Sequence, residues 1–411
     1  MDSSIIINSN PKVFGTASQL PSSKSISNRA LILNALTGNR SSVSNLSSAR
    51  DTKLMQALVN SADETIDVMD AGTTMRFLTA YFSITNQRKI LTGTARMKQR
   101  PIKLLVDALR AIGAEITYLN EDGFPPIQTH GFNGQKTDHL EVPANVSSQY
   151  ISALMMIAPA LSKGLTIQLV GEIGSVPYIN MTAALMNDFG IHPEVDYKRG
   201  LIKVPNGNYR PASITIEADW SAASYWFGFT ALAKEAQVRL PNVTEKSLQG
   251  DRVIVDVMEK LGVRSNFGRE YLELTKGPSI KHIVWDFKDC PDLAQTVLPV
   301  CAAKGVTGEF IGLESLRIKE TDRIAALTNE LAKIDAKLSE PETGRWKLEP
   351  GKIETLSDPI DTYHDHRMAM GFAPWATLID ITILAPEVVN KSYPGFWEDV
   401  RSVGYQTREE K

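Results

Sequence analysis

LLVDALRAIGAEI, residues 104–116, decides the fold through its construction and its recurrence. Its apolar residues fall at helical spacing, Gly113 then permits a left-handed C-cap, and a short strand follows. The phrase returns as MTAALMNDFGIHPEV (181–195), VIVDVMEKLGVRSNF (253–267) and LTNELAKIDAKL (327–338). The turn residues Gly113, Gly190, Gly262 and Asp335 recur every 72 to 77 residues, a period longer than that of the usual solenoids. A second phrase, a helix end followed by a strand, alternates with the first at Leu36-Thr37-Gly38, Leu161–Gly164 and Ala303-Lys304-Gly305. Alternation of this kind predicts an α/β (α+β) protein of repeated units, with helices against mixed sheet, and not one doubly wound sheet.

A chain of 411 residues exceeds one ordinary core and predicts two domains. Hydrophobic residues make up 43% and charged residues 22%, so the core needs no metal or disulfide staples. The net charge of −3 gives no global basic field for nucleic acid or anionic membrane, so any basic site is local. Cys290 and Cys301 are the only cysteines, which fits a reducing compartment and inert buried thiols. The N-terminus lacks the basic and apolar segments of a signal peptide. The most apolar stretch, Ile151 to Leu161, is too short to span a bilayer and contains Pro159. The expectation is a soluble, unprocessed, cytoplasmic protein. No Gly-rich dinucleotide fingerprint follows any predicted strand, so no nicotinamide or flavin cofactor is expected.

The chemistry gathers at loop–helix junctions. LPSSKSISNRALIL (20–33) opens a helix on which Ser25 and Arg29 share a face, and with Lys24 it forms an anion site. DAGTTMRFL (70–78) allows close backbone approach at Gly72. RMKQRPI (96–102) crowds three cations into one loop, and Ser147, Ser148 and Gln149 precede an apolar helix. RIKETDR (317–323) reads as a helix start with Lys319 and Arg323 on one face and Glu320 beside them, where a carboxylate among cations suits proton transfer. His364-Asp365-His366-Arg367 has no companion Cys/His cluster, so an anion-facing His–Arg pair fits better than a metal. Lys391 lies in a polar turn after the strand 381–384, where an isolated lysine is ordinarily at the surface.

These motifs, with YHDHRMAM (363–370) and NKSYPGF (390–396), run through the whole chain and resemble those of the 5-enolpyruvylshikimate-3-phosphate synthases. The resemblance implies two domains, each of three βαβαββ units (an inside-out α/β barrel), spanning 19–218 and 1–18 plus 219–411, with the active site in the cleft between them. It implies crossings near Ser18–Pro21 and Glu217–Asp219, the second ahead of an apolar helix at Trp220–Ala233. The expected reaction, in the shikimate pathway to chorismate and the aromatic amino acids, needs no cofactor. It transfers the enolpyruvyl group of phosphoenolpyruvate to the 5-hydroxyl of shikimate 3-phosphate by addition–elimination. Shikimate 3-phosphate would meet Lys24, Ser25, Arg29, Ser147, Ser148, Gln149, Ser175, Tyr178, Asp292, Ser315 and Lys319. Phosphoenolpyruvate would meet Lys24, Gly72, Arg96, Gln149, Arg323, His366, Arg367 and Lys391. Asp292 is assigned to the 5-hydroxyl proton, Glu320 to the methylene proton and Lys24 to the bridging region, with the two carboxyl roles open to exchange between steps. No metal, nucleic-acid or membrane partner is expected, and the chain is expected to be a monomer.

Asp70, Ser315 and Val176 depart from the Asn, Asn and Lys common in this family. The related transferase acting on UDP-N-acetylglucosamine would carry a Cys-bearing loop, and residues 93–101 have no Cys. A non-catalytic polyanion-binding repeat would be net basic with aromatics among its cations, which this chain is not.

Overall fold

All four helix–turn–strand phrases form. The structure, a computed structural model, describes residues 3–144, 147–356 and 358–410. Its helices are α1 (Lys24–Leu36), α2 (Arg50–Leu58), α3 (Gly72–Ile84), α4 (Lys103–Ile112), α5 (Ser148–Ile157), α6 (Val176–Asp188), α7 (Trp220–Leu232), α8 (Ile254–Lys260), α9 (Ala294–Lys304), α10 (Arg323–Ala332), α11 (His366–Phe372) and α12 (Phe396–Ser402). After α4, α6, α8 and α10 the chain turns at Gly113, Gly190, Gly262 and Asp335, with φ of 129°, 80°, 94° and 60°. A fifth copy, not marked out in the sequence, runs from α12 through Gly404 (φ 108°) into the strand Thr407–Glu410.

The chain forms two units. The inserted unit is Lys24–Ser47 with Asp51–Ile216, and the terminal unit is Met1–Ser23, Ser48–Arg50 and Glu217–Lys411. In the inserted unit, Thr65–Asp67 pairs parallel with Lys89–Thr92, which pairs antiparallel with Ile127–Phe132, and that strand with Ala114–Tyr118. This is a βαβαββ repeat whose strands lie in the spatial order first, second, fourth, third. The sheet from His139–Pro143 to Leu201–Val204 has the same order. In the third repeat, among the described residues, only Ser213–Thr215 and Ser42–Ser44 pair, in parallel.

The terminal unit repeats the pattern from distant pieces of chain. Lys12–Thr16 pairs parallel with Glu235–Pro241, and Val263–Phe267 and Tyr271–Lys276 complete that sheet. The strands from His282–Asp286 to Arg345–Glu349 form the next. The last sheet is closed by the N-terminal strand Ser4–Ile7, which lies between Ile381–Leu384 and Thr407–Glu410, with Ile360 bridging Ile383 in parallel. Within this unit the two crossing segments lie side by side, with Ser23 N–H donating to Glu217 O (2.8 Å) and Asp219 N–H to Pro21 O (2.9 Å).

Sequence dictates which helix of each repeat is central. The first helices, among them α5, α7, α9 and α11, are buried almost all round, as expected of segments apolar on every face. Of α7 only Ser221 reaches the surface appreciably. The second helices α4 and α10 carry one apolar stripe; α4 buries Leu105, Val106, Leu109 and Ile112 and leaves Leu104 exposed. Pro299 inside α9 cannot donate to the carbonyl of Gln295, four residues back. Gly371 of α11 packs at that carbonyl, so closely that a β-carbon there would lie 2.0 Å from Gln295 O. Each unit has its own apolar core.

One expectation is corrected. RIKETDR is not a helix start throughout, because a 3-10 turn ends at Ile318, Lys319 is extended and α10 begins only at Arg323. Asp322 caps α10 by accepting from Ile324 N–H and Ala325 N–H (both 3.1 Å). Lys319 and Arg323 therefore do not share a helical face.

Candidate active site

In the inserted unit Arg29 organises the cations. Its Nε donates to Thr182 Oγ1 of α6 (2.8 Å), one terminal nitrogen to Ser152 Oγ of α5 (3.0 Å), and the other to Ser25 O of its own helix (2.9 Å). The guanidinium also lies 5.4 Å from the Phe77 ring of α3 and 5.8 Å from the Tyr178 ring of α6. Arg29, Phe77, Ser152 and Thr182 are each the fifth to seventh residue of their helices, so α1, α3, α5 and α6 pack side by side with their N-termini at one level. Arg29 is 2% exposed, and among the described residues it pairs with no carboxylate. Burial pushes its pKa down to about 10. A buried cation held only by neutral acceptors and rings is a receptor for an anion.

Lys24 opens α1 and lies 3.3 Å from Asp51 of α2. Ser147 caps α5, accepting from Gln149 N–H (3.4 Å), while the Gln149 amide donates to Thr73 Oγ1 at the start of α3 (3.2 Å). Ser148 is buried and Ser147 exposed. Ser175 stands in the left-handed region ahead of α6 (φ 56°), with Tyr178 one turn on.

In the terminal unit a second cluster forms around Arg323, also 2% exposed. It donates to Asp365 Oδ2 (2.7 Å), Asp292 Oδ1 (2.9 Å) and Glu320 Oε2 (3.0 Å). Burial opposes its charge, but Asp365, Glu320 and Asp292 outweigh burial and hold its pKa above the ordinary arginine value. Arg367 donates to the other oxygen of Asp292 (2.9 Å) and to Tyr225 OH (3.3 Å). Burial would push Asp292 up, but Arg367, Lys319 and Arg323 hold it well below the usual carboxylate range. Asp365 is fully buried and caps α11 through Arg367 N–H (2.9 Å). Lys391 is buried, 3.9 Å from Glu320 Oε1. Isolated in sequence, it is not a surface lysine.

The sequence model of EPSP synthase (3-phosphoshikimate 1-carboxyvinyltransferase) matches residues 10–70 and 56–400. The chain belongs to the EPSP synthase family. A Bacteroides fragilis protein named 3-phosphoshikimate 1-carboxyvinyltransferase is 45% identical over 390 residues, covering 94% of this chain and 95% of that one. One of the same name from Mannheimia haemolytica is 35% identical, covering 93% and 95%. An EPSP synthase structure from Acinetobacter baumannii superposes with a TM-score of 0.76 over the whole of both chains at 20% identity, a likeness of fold.

Against this EPSP synthase fold the site residues divide by unit. Lys24, Ser25, Arg29, Gly72, Arg96, Ser147, Ser148, Gln149, Ser175 and Tyr178 belong to the inserted unit, and Asp292, Ser315, Lys319, Glu320, Arg323, His366, Arg367 and Lys391 to the terminal one. Arg323, Asp292, Glu320, Arg367 and Lys391 are brought together. Ser315 is exposed on the 3-10 turn Glu314–Ile318, and the His366 ring is buried 3.5 Å from Asp365 Oδ1. Arg96 is exposed. Arg100, which the sequence reading left out of the site, is buried with its guanidinium over Gly72, where a β-carbon would lie 2.7 Å from a terminal nitrogen. Its Nε has no hydrogen-bond partner among the described residues. A sequence signal existed: in the 3-10 turn Met97–Gln99, residues three apart eclipse, so inward-facing Met97 turns Arg100 inward too.

Cys290 and Cys301 are free and buried, and burial pushes both thiols up to about 12. Among the described residues no group of three or more His, Cys, Asp or Glu could hold a metal ion, and no helix is long and apolar enough to cross a membrane.

Proposed function

We propose that this protein transfers the enolpyruvyl group of phosphoenolpyruvate to the 5-hydroxyl of shikimate 3-phosphate, releasing phosphate. The observation that carries the reading is a pair of buried arginines in a chain of this family. Among the described residues Arg29 pairs with no carboxylate, and Arg323 is held by three. The first suits capture of an anionic group, and the second suits exchange of protein carboxylates for substrate anions. In this reading Lys24, Ser25, Arg29, Ser147, Ser148, Gln149, Ser175, Tyr178, Asp292, Ser315 and Lys319 serve shikimate 3-phosphate. Lys24, Gly72, Arg96, Gln149, Arg323, His366, Arg367 and Lys391 serve phosphoenolpyruvate. Arg100, buried over Gly72, is added to these as a further cation of the inserted unit.

In the addition step the 5-hydroxyl oxygen bonds to C2 while its proton passes to a carboxylate and C3 gains a proton. In the elimination step C3 loses a proton and the C2–O bond to phosphate breaks. Asp292 serves the hydroxyl and Glu320 the methylene carbon, with Lys24 at the bridging oxygen. Asp292 gripped by Arg323 and Arg367 is a poor base. Phosphate and carboxylate arriving at those arginines loosen the grip, so substrate binding itself restores the basicity of Asp292. The two clusters serve one reaction in a monomer of the cytoplasm.

Phosphate release from phosphoenolpyruvate, with shikimate 3-phosphate as acceptor, tests the assignment. Glu320→Gln and Lys24→Met are each expected to lower kcat by about 100-fold or more. Arg96→Gln and Arg100→Met should each raise KM for phosphoenolpyruvate by about 10-fold or more. Undiminished rates in the first two variants would sink the mechanism. Release with UDP-N-acetylglucosamine and none with shikimate 3-phosphate would sink the substrate assignment.

A further inference from the structure

On the face of α7 where Tyr225 OH meets Arg367, Ser221 one turn earlier meets a carboxyl that the proposed reaction does not use. Asp251, in the 3-10 turn Gly250–Val253, is 4% exposed. One of its oxygens accepts a short hydrogen bond from Ser221 Oγ in the first turn of α7, and the other has no hydrogen-bond partner among the described residues. The turn is clamped to the crossing ahead of α7. Ser247 Oγ donates to Glu217 (2.8 Å), Gln249 donates to Ala218 O (2.8 Å), and Gln249 Oε1 accepts from Trp220 N–H (3.0 Å). Asp251 therefore cannot swing out to water without breaking that clamp. A carboxylate so enclosed, with one hydroxyl donor and a bare second oxygen, is costly when charged and stable when protonated.

We propose that Asp251 is a positioning residue for anion capture: protonated, it leaves the surroundings of the Arg323–Arg367 cluster one charge more positive than when it is ionised. Arg323, Arg367, Lys319 and Lys391 face the carboxylates Asp292, Glu320 and Asp365 in the same unit. An ionised Asp251 adds one negative charge to theirs and to that of Asp219. The groups acting on Asp251 agree with this. Burial raises its pKa first, Asp292 raises it further, Arg367 and Ser221 lower it and Asp219 raises it, with the outcome about 7. The Cys290 thiol also feels the Asp251 charge. The sign follows. Below about pH 7 Asp251 carries its proton and the anionic donor binds well. As pH rises through that value the proton leaves and affinity falls. By linkage, donor binding raises the Asp251 pKa, and the protein takes up a proton.

The inference rests on the proposed binding of phosphoenolpyruvate at Arg323 and Arg367. The test is KM for phosphoenolpyruvate between pH 6 and 8.5, with kcat followed separately. The wild type is expected to show a rise in KM of about 5-fold or more beyond that of Asp251→Asn, which holds KM near its low-pH value. Ser221→Ala, which removes the hydrogen bond favouring the charged form, should move the limb to higher pH. Proton uptake on adding phosphoenolpyruvate in weak buffer near pH 7 should be smaller in Asp251→Asn than in the wild type. Identical KM profiles and identical proton uptake in wild type and Asp251→Asn would overturn the role of Asp251. If Arg367→Gln leaves KM for phosphoenolpyruvate unaltered, the donor site itself is misassigned.

Discussion

Arg29 holds a full charge away from water without a counter-charge, and that arrangement has opposite consequences for folding and for binding. Substrate-free, the charge is a liability, as its lowered pKa reflects. With an anion present it becomes a strong contact. Arg29→Met removes the desolvated charge and leaves Thr182 and Ser152 satisfied by their own 2.8 Å hydrogen bond. The variant is expected to be as stable as the wild type or more stable by about 1–3 kcal/mol in urea unfolding, while KM for shikimate 3-phosphate rises at least about 10-fold. Marked destabilisation would show that Arg29 is structural. Most such residues were legible as cations beside serines at helix starts, because helix N-termini are local features. The burial of Lys391 and the pairing of Asp292 with Arg367 were not, since those partners lie 71 and 75 residues apart in the chain.

At the scale of elements, the repeats were readable where the signal is local, in apolar helical spacing followed by a turn residue at positive φ. The strands that open the repeats escaped notice where they are short, as at Thr65–Asp67, or where their partners are distant. Ser4–Ile7 completes a sheet with Ile381–Leu384 and Thr407–Glu410, at the far end of the chain. The start of α10 was misplaced although Asp322 carried the signal, being an N-cap residue just ahead of the apolar run. The packing of α9 on α11 gives a sharp test. Pro299 leaves a carbonyl without its helical donor, and Gly371 alone lets α11 come against it. Gly371→Val places a branched side chain where even a β-carbon lies 2.0 Å from Gln295 O, so the two central helices must separate. A loss of about 3 kcal/mol or more in unfolding free energy is expected. A loss below about 1 kcal/mol would mean that the contact is soft.

For the whole molecule, the division of chain matters more than its length. Two apolar cores, each wrapped by its own repeats, draw their residues from one unit apiece. Folding units of this size, each with a core of its own, are expected to melt separately. Calorimetry of the substrate-free protein should resolve two transitions. Leu78 of α3 and Leu298 of α9 are both fully buried, one in each core, so Leu78→Ala and Leu298→Ala are matched probes, each worth about 2–5 kcal/mol. Leu78→Ala should lower one transition and Leu298→Ala the other, each leaving its companion within about 1 °C of the wild type. Shikimate 3-phosphate, whose proposed contacts include Arg29 on one side and Lys319 on the other, should raise both and draw them together. A single transition lowered equally by both substitutions would mean that the crossings couple the units fully, and that the cations of the two clusters are held in place by one cooperative structure.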